Sequence, residues 1–260
     1  MTPYKIVYYI SGHGFGHAVR SIQIINELLG LGCQVCIKTI APAFLFKEGL
    51  AQPVEVVPER FDVGLWQLDN IHFDLQKTKQ QVKELLSSAE VLIEKEQRFL
   101  LDQGVSGIIC DIPFIPLAAA ERIGLPAIGV SNFSWDWIYA SYGKRDPEWK
   151  ALAERIQRYY QAGGLLLRLP FHGDMEAFRQ IEDIPLVARK SKMGKVAIRQ
   201  ALGLSKDRKI GLIGYSQLEL PEGALKKIEQ LSPEYLFLLK PPLNWTASVF
   251  RRVDDAGVSF

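Results

Sequence analysis

A chain of 260 residues, 48% hydrophobic and 23% charged, can bury a substantial core in one large domain or two smaller ones. Its net charge of +2, with no dominant basic stripe, argues against general nucleic-acid binding. No apolar run reaches the ~18 residues of a membrane span, no signal-peptide pattern opens the chain, and three cysteines make no disulfide framework, so a cytoplasmic protein is expected.

The first apolar run, Ile6 to Ile10, reads as a buried parallel strand, and Ser21 to Leu29 as an amphipathic helix. Between them lies Ser11-Gly12-His13-Gly14-Phe15-Gly16-His17-Ala18-Val19-Arg20. Glycines at alternate positions let the backbone turn sharply and approach a ligand closely. The following helix points its free N–H groups and positive dipole end at the same place. His13, His17 and Arg20 therefore concentrate ionisable groups where a polar ligand would dock. The plain alternative is a tight turn whose histidines merely cap a helix.

The glycine spacing is G-x-G-x-G, and His17 stands at the third position of the dinucleotide fingerprint. The second strand, Gln34 to Thr39, ends in Lys38-Thr39 without the carboxylate that would hold a ribose. A lysine-bearing phosphate loop is missing too. Cys33 and Cys36 match C-x-x-C but enter a strand rather than a helix start, so they read as packing, as does Cys110.

Beyond strand two comes an irregular stretch with a short strand, Val54 to Val57. Lys77 to Leu101 reads as one long amphipathic helix whose like-charged pairs, Lys79–Lys83 and Glu90–Glu94, leave packing to hold it. Ser106 to Cys110 is a buried strand, Ile115 to Ile123 a helix, Pro126 to Val130 a strand, and Leu165 to Leu169 another. This alternation predicts a doubly wound parallel α/β sheet of Rossmann-like type.

Ligands sit beyond the carboxyl ends of such strands. Three polar loops fall there: Gly12 to Arg20, the Asp111 loop, and Ser131-Asn132-Phe133-Ser134-Trp135-Asp136. One cleft is expected to gather Gly12, His13, Gly14, Gly16, His17, Arg20, Asp111, Asn132, Ser134, Trp135 and Asp136. Asp111 could instead cap the helix after it, Asp136 could be a first-turn carboxylate, and Trp135 and Trp137 could pack between domains.

The expected organisation is an amino-terminal domain over residues 1–170, a connector over 171–208, and a second Rossmann-like domain over 209–260, only partly present. The connector holds the basic run Arg189-Lys190-Ser191-Lys192, read as a solvated segment, and a helix from Lys195 to Leu202 closed by Gly203. The second domain opens with a strand, Lys209 to Ile213, and the turn Gly214-Tyr215-Ser216. A helix, Gly223 to Leu231, and a strand, Tyr235 to Lys240, follow, and the half-formed domain reads as truncated. The four histidines, His13, His17, His72 and His172, have no metal-ligand spacing.

Gly14-Phe15-Gly16-His17 after a first strand, the Asp111 loop and the βαβ opening near residue 209 resemble the GT-B glycosyltransferases. Gly12-His13-Gly14-Phe15-Gly16-His17-Ala18-x-Arg20, Ser131 to Tyr139, Arg168-Leu169-Pro170 and Ile184-Pro185-Leu186-Val187 are similar to the glycosyltransferase-like amino-terminal region of plant L-arabinokinases and its stand-alone bacterial relatives. That resemblance covers essentially the whole chain. It implies two facing Rossmann-like domains, the first taking a sugar-containing or lipid-linked acceptor and the second a nucleotide-sugar, the co-substrate in place of a cofactor.

The resemblance further implies no metal, with His17 as base or acceptor orienter and His13 as second choice. Asp111 or Asp136 would orient the imidazole or hold sugar hydroxyls, and Arg20 would serve the leaving charge. Gly214 and Ser216 fall at the donor-diphosphate turn, which here has one glycine. The alternatives are a non-catalytic sugar- or nucleotide-binding module, or half of a split enzyme completed by a separate polypeptide carrying the donor domain.

Overall fold

Lys5–Ile10 forms β1, and its side chains alternate between two apolar layers. Val7 and Tyr9 enter one core cluster, Tyr8 and Ile10 the other, so both faces of the strand are covered. A computed structural model describes residues 3–69, 72–191, 193–214, 220, 223–239, 243 and 245–252. In chain order β1 is followed by α1 (Gly16–Gly30), β2 (Gln34–Lys38), α2 (Ala43–Gly49), β3 (Glu55–Val57), α3 (Leu75–Ser87) and α4 (Ala89–Asp102). Next come β4 (Gly107–Asp111), α5 (Ile115–Arg122), β5 (Ala127–Ser131), α6 (Trp135–Ala140), α7 (Pro147–Tyr160), β6 (Leu165–Arg168) and β7 (Gln180–Asp183).

These seven strands make one parallel sheet in the order β3-β2-β1-β4-β5-β6-β7, reversing direction of growth at β1. This is the doubly wound, Rossmann-like α/β arrangement expected from the strand–helix alternation. On one face, Ala18, Ile22 and Ile25 of α1 pack with Tyr8, Ile10 and Ile37. On the other, α4, α5 and α7 bring Ile93, Leu117 and Ile156 against Val7, Ile108 and Leu166. Each of these valine, leucine and isoleucine side chains contributes about 1.5–3 kcal/mol by leaving water.

Several elements differ in detail from the sequence reading. The single helix expected over Lys77 to Leu101 is two, because Ser87 Oγ donates to the Glu84 carbonyl (2.7 Å) and Ser88 Oγ to that of Leu85 (3.1 Å). Such local bonds compete with the helical ladder. The Lys79–Lys83 repulsion is relieved from α7: Lys79 pairs with Asp146 (2.6 Å) and Glu148 (3.1 Å), and Lys83 with Glu148. Helix α7 starts where Asp146 accepts from Glu148 N at 3.0 Å with Pro147 in the first turn. In the 171–208 stretch, β7 joins the first sheet beside β6, with Arg168 opposite Asp183.

A second unit contains α8 (Lys195–Ala201), β8 (Lys209–Ile213), α9 (Ala224–Glu229), β9 (Tyr235–Leu239) and β10 (Phe250–Arg252). Its three strands are parallel in the order β10-β9-β8. The chain divides into Met1–Trp66 with Leu75–Arg189, and Gln67–Asp74 with Lys190–Phe260. Among the described residues, no helix is long and apolar enough to cross a membrane.

Candidate functional site

The carboxyl ends of β1, β4 and β5 lie side by side: Ile10 pairs with Asp111, and Ser11 N donates to the Asp111 carbonyl at 2.8 Å. From the next element, α1, three side chains at i, i+3 and i+4 face the same point: His17, Arg20 and Ser21. They converge on the Asp111 carboxylate, which is fully buried. His17 Nδ1 lies 2.7 Å from Oδ1, Arg20 donates through Nη2 to Oδ1 (2.5 Å) and through Nε to Oδ2 (2.6 Å), and Ser21 Oγ donates to Oδ2 (2.9 Å). Arg20 Nη1 then reaches Asn132 Oδ1 (2.8 Å), and Nη2 reaches Ser131 Oγ (3.1 Å). One cation on α1 ties the ends of β4 and β5 together.

Burial alone would raise the Asp111 carboxyl, but the neighbouring His17 and Arg20 outweigh it and hold the group below its ordinary value. Asp111 is therefore the carboxylate, not the acid. It is no helix cap either: it is the last residue of β4, and α5 starts at Ile115 without a side-chain cap. With Oδ1 ionised 2.7 Å from His17 Nδ1, a lone pair on that nitrogen would be repelled. The proton thus sits on Nδ1, which leaves Nε2 as the nitrogen that carries the free pair a base requires whenever the ring is neutral. Among the described residues, the hydrogen bonds of this imidazole run through Nδ1. Phe133 closes on the ring edge to face at 5.4 Å.

His13 is set apart from this cluster. Its ring meets Trp135 edge to face at 5.3 Å, and chiefly burial lowers its pKa to about 4. It is a neutral group at physiological pH. Gly64, at φ +78°, packs so closely that an added Cβ would lie 2.5 Å from His13 Nδ1. Gly64→Ala is expected to cost at least the ~1–2 kcal/mol of a left-handed non-glycine residue. It should also displace the His13 ring, and a melting temperature equal to wild type would contradict this.

Of the glycines, Gly14 (φ +75°) needs its conformational freedom, and Gly12 permits a close approach, since a Cβ there would lie 2.3 Å from Ile40 Cγ1. Gly16 opens α1 with open space beside it. Asn132 sits at the site through Arg20. Trp135 is 1% exposed, stacked on Tyr139 and donating Nε1–H to Asp62 (2.9 Å), so its indole is part of the core and offers no surface for a sugar. Ser134 and Asp136 are buried as well, and among the described residues neither Ser134 Oγ nor Asp136 Oδ1 meets a partner at full hydrogen-bond geometry. Burial raises the Asp136 carboxyl, with Ser134 and nearby N–H groups offsetting part. Gly214 follows β8 and is exposed, and Ser216 lies outside the described residues.

Asp62 went unread in the sequence. Burial raises its carboxyl, and bonds from Ser11 and Trp135 offset only part. Its ionisation therefore costs stability above the unfolded carboxylate value of about 3.9, and the cost fades on acidification. Asp111 has the opposite sign: its lowered pKa stabilises above that value and is lost as pH falls through the folded one. Asp111→Asn should thus be most destabilising at neutral pH and progressively less so as the solution is acidified below the unfolded carboxylate value, whereas any advantage of Asp62→Asn should shrink on acidification. Thermal melts at neutral and at acidic pH check this, and parallel behaviour of the two variants would refute it.

Among the described residues, no group of His, Cys, Asp and Glu is arranged to hold a metal ion. No family model matches the chain. It is 29% identical over 211 residues to L-arabinokinase of Arabidopsis thaliana, a match covering 80% of this chain and 20% of that protein. The chain thus spans about a fifth of that relative's length. Among solved structures it is similar to the glycosyltransferase of kitacinnamycin (TM-score 0.63, 15% identity, 97% of this chain and 71% of that one). CalG4, the calicheamicin glycosyltransferase, follows with TM-score 0.58, 16% identity, and 97% and 71% coverage. Arabidopsis thaliana UGT89C1, solved with quercetin, gives TM-score 0.58, 12% identity, and 97% and 70% coverage. The chain has the Rossmann-like α/β fold seen in the GT-B glycosyltransferases, together with sequence likeness to L-arabinokinase.

Proposed function

We propose that the protein takes part in glycosyl transfer from a nucleotide-sugar to an acceptor hydroxyl. The single observation carrying this is the His17–Asp111 pair at the carboxyl edge of the sheet, with Nδ1 bound to a buried carboxylate. In that reaction Nε2 takes the hydroxyl proton as the acceptor oxygen bonds to the anomeric carbon, and the sugar–diphosphate bond breaks to release the nucleoside diphosphate. The nucleotide-sugar is a co-substrate, and no resident cofactor or metal is called for. The acceptor, sugar-containing or lipid-linked, would meet the first unit; Gly214 and Ser216 would lie at the donor turn, and the setting would be cytoplasmic.

The second reading is a non-catalytic sugar- or nucleotide-binding module, favoured by the match to one fifth of a larger kinase. In a variant of the first, a separate polypeptide supplies the donor contacts. Screening the full-length protein against a panel of nucleotide-sugars, with binding and diphosphate release read in parallel, separates the readings. Release that needs both a sugar acceptor and His17 supports transfer. Binding without release favours the module, and release only after adding a partner polypeptide favours the split enzyme. Neither binding nor release with any of the panel would sink the proposal.

A further inference from the structure

Arg20 was expected to face the leaving charge of a ligand, but its guanidinium is spent inward. It binds both oxygens of Asp111, Asn132 Oδ1 and Ser131 Oγ, and its side chain is only 16% exposed. Its Nη2 also lies 3.0 Å from His17 Nδ1. With a proton on Nδ1 that contact joins two donors, so the Nη2 hydrogens go to Asp111 and Ser131.

The charge balance explains why such a group stands there. A fully buried, ionised Asp111 needs a countercharge. If His17 supplied it, the imidazole would be an imidazolium with no lone pair to accept a proton. Arginine stays protonated under all ordinary conditions and supplies the charge instead. The other titratable groups facing the pair give no alternative: His13 is neutral, Asp62 is a carboxyl, and Tyr8 is a buried hydroxyl. We propose that Arg20 is a positioning residue that sets the protonation form of His17, keeping it neutral with the proton on Nδ1 and the base on Nε2.

This rests on reading His17 as the proton acceptor, yet it concerns the resting protein and is measured without donor or acceptor. The experiment is nitrogen NMR of the ¹⁵N-histidine-labelled protein at about pH 7.5, where a free imidazole is largely neutral. The His17 signals are assigned by their loss in His17→Gln. Wild type and Arg20→Lys, which keeps the charge, are expected to show a protonated Nδ1 and an unprotonated Nε2. In Arg20→Met the pair must take up a proton, so His17 becomes an imidazolium or shifts to the Nε2–H form.

An imidazolium or Nε2–H form in wild type overturns the proposal with no variant needed. So does a folded Arg20→Met that keeps the wild-type pattern. Should Arg20→Met fail to fold, the wild-type and Arg20→Lys spectra decide: the neutral Nδ1–H form in both supports the proposal, and its absence from either overturns it.

Discussion

His17→Ala is expected to reduce sugar transfer by the full-length protein roughly 10²–10⁴-fold, the usual contribution of a positioned general base. The fold should survive. His17 is buried at the sheet edge but belongs to neither main apolar cluster, and Asp111 keeps its bonds from Arg20 and Ser21. His17→Gln sharpens the test, because its amide can still donate to Asp111 while offering no base. Both variants should therefore lose turnover with near-wild-type melting temperatures and unchanged nucleotide-sugar affinity. A loss of activity that merely tracks lost stability, or a His17→Gln enzyme of wild-type rate, would refute the role of base.

How much of this was legible depended on sequence distance. The strand–glycine turn–helix around His17 could be read because apolar run, glycines and helical spacing are local signals. Asp111 was legible as a loop carboxylate but ambiguous, since the residue after an apolar run serves equally as strand end or helix cap. Its register opposite Ile10 decides the matter, and register is a tertiary fact. Trp135 shows the limit of residue type: an indole after a strand suits stacking or core, and only its bond to Asp62, 73 positions away, places it inside. The α3–α4 break and the Asp146–Pro147–Glu148 start of α7 carried local signals that the periodicity reading passed over.

Nothing local announced the role of Lys38, although its position at the end of β2 was noted for lacking a carboxylate. Its ammonium is 3% exposed and pairs with Glu96 (2.7 Å) and Glu59 (2.9 Å), and it lies 3.8 Å from the Phe99 ring centroid. Tyr9 also donates to the fully buried Glu96. Lys38→Ala would leave the Glu96 carboxyl in the interior without its cation, and breaking a buried pair in this way costs about 3–5 kcal/mol. In a chain of this size each kcal/mol moves the midpoint of thermal unfolding by about 2–4 °C. Removing the whole set, Lys38→Met with Glu96→Leu and Tyr9→Phe, leaves Glu59 paired with Lys95 and no buried charge exposed to apolar surroundings. Breaking a buried pair is costlier than deleting it, so the triple variant should be more stable than Lys38→Ala alone. A single variant losing under about 1 kcal/mol, the value of an exposed pair, would show the cluster to be solvated. The outcome bears on the site, because the chain leaves β2 at Lys38 and passes through Thr39 to Ile40, the side chain against which Gly12 is packed. If the cluster anchors that strand end, Lys38→Ala should also loosen the glycine turn, seen as faster amide exchange at Gly12 and His13 than at the distant strand β6.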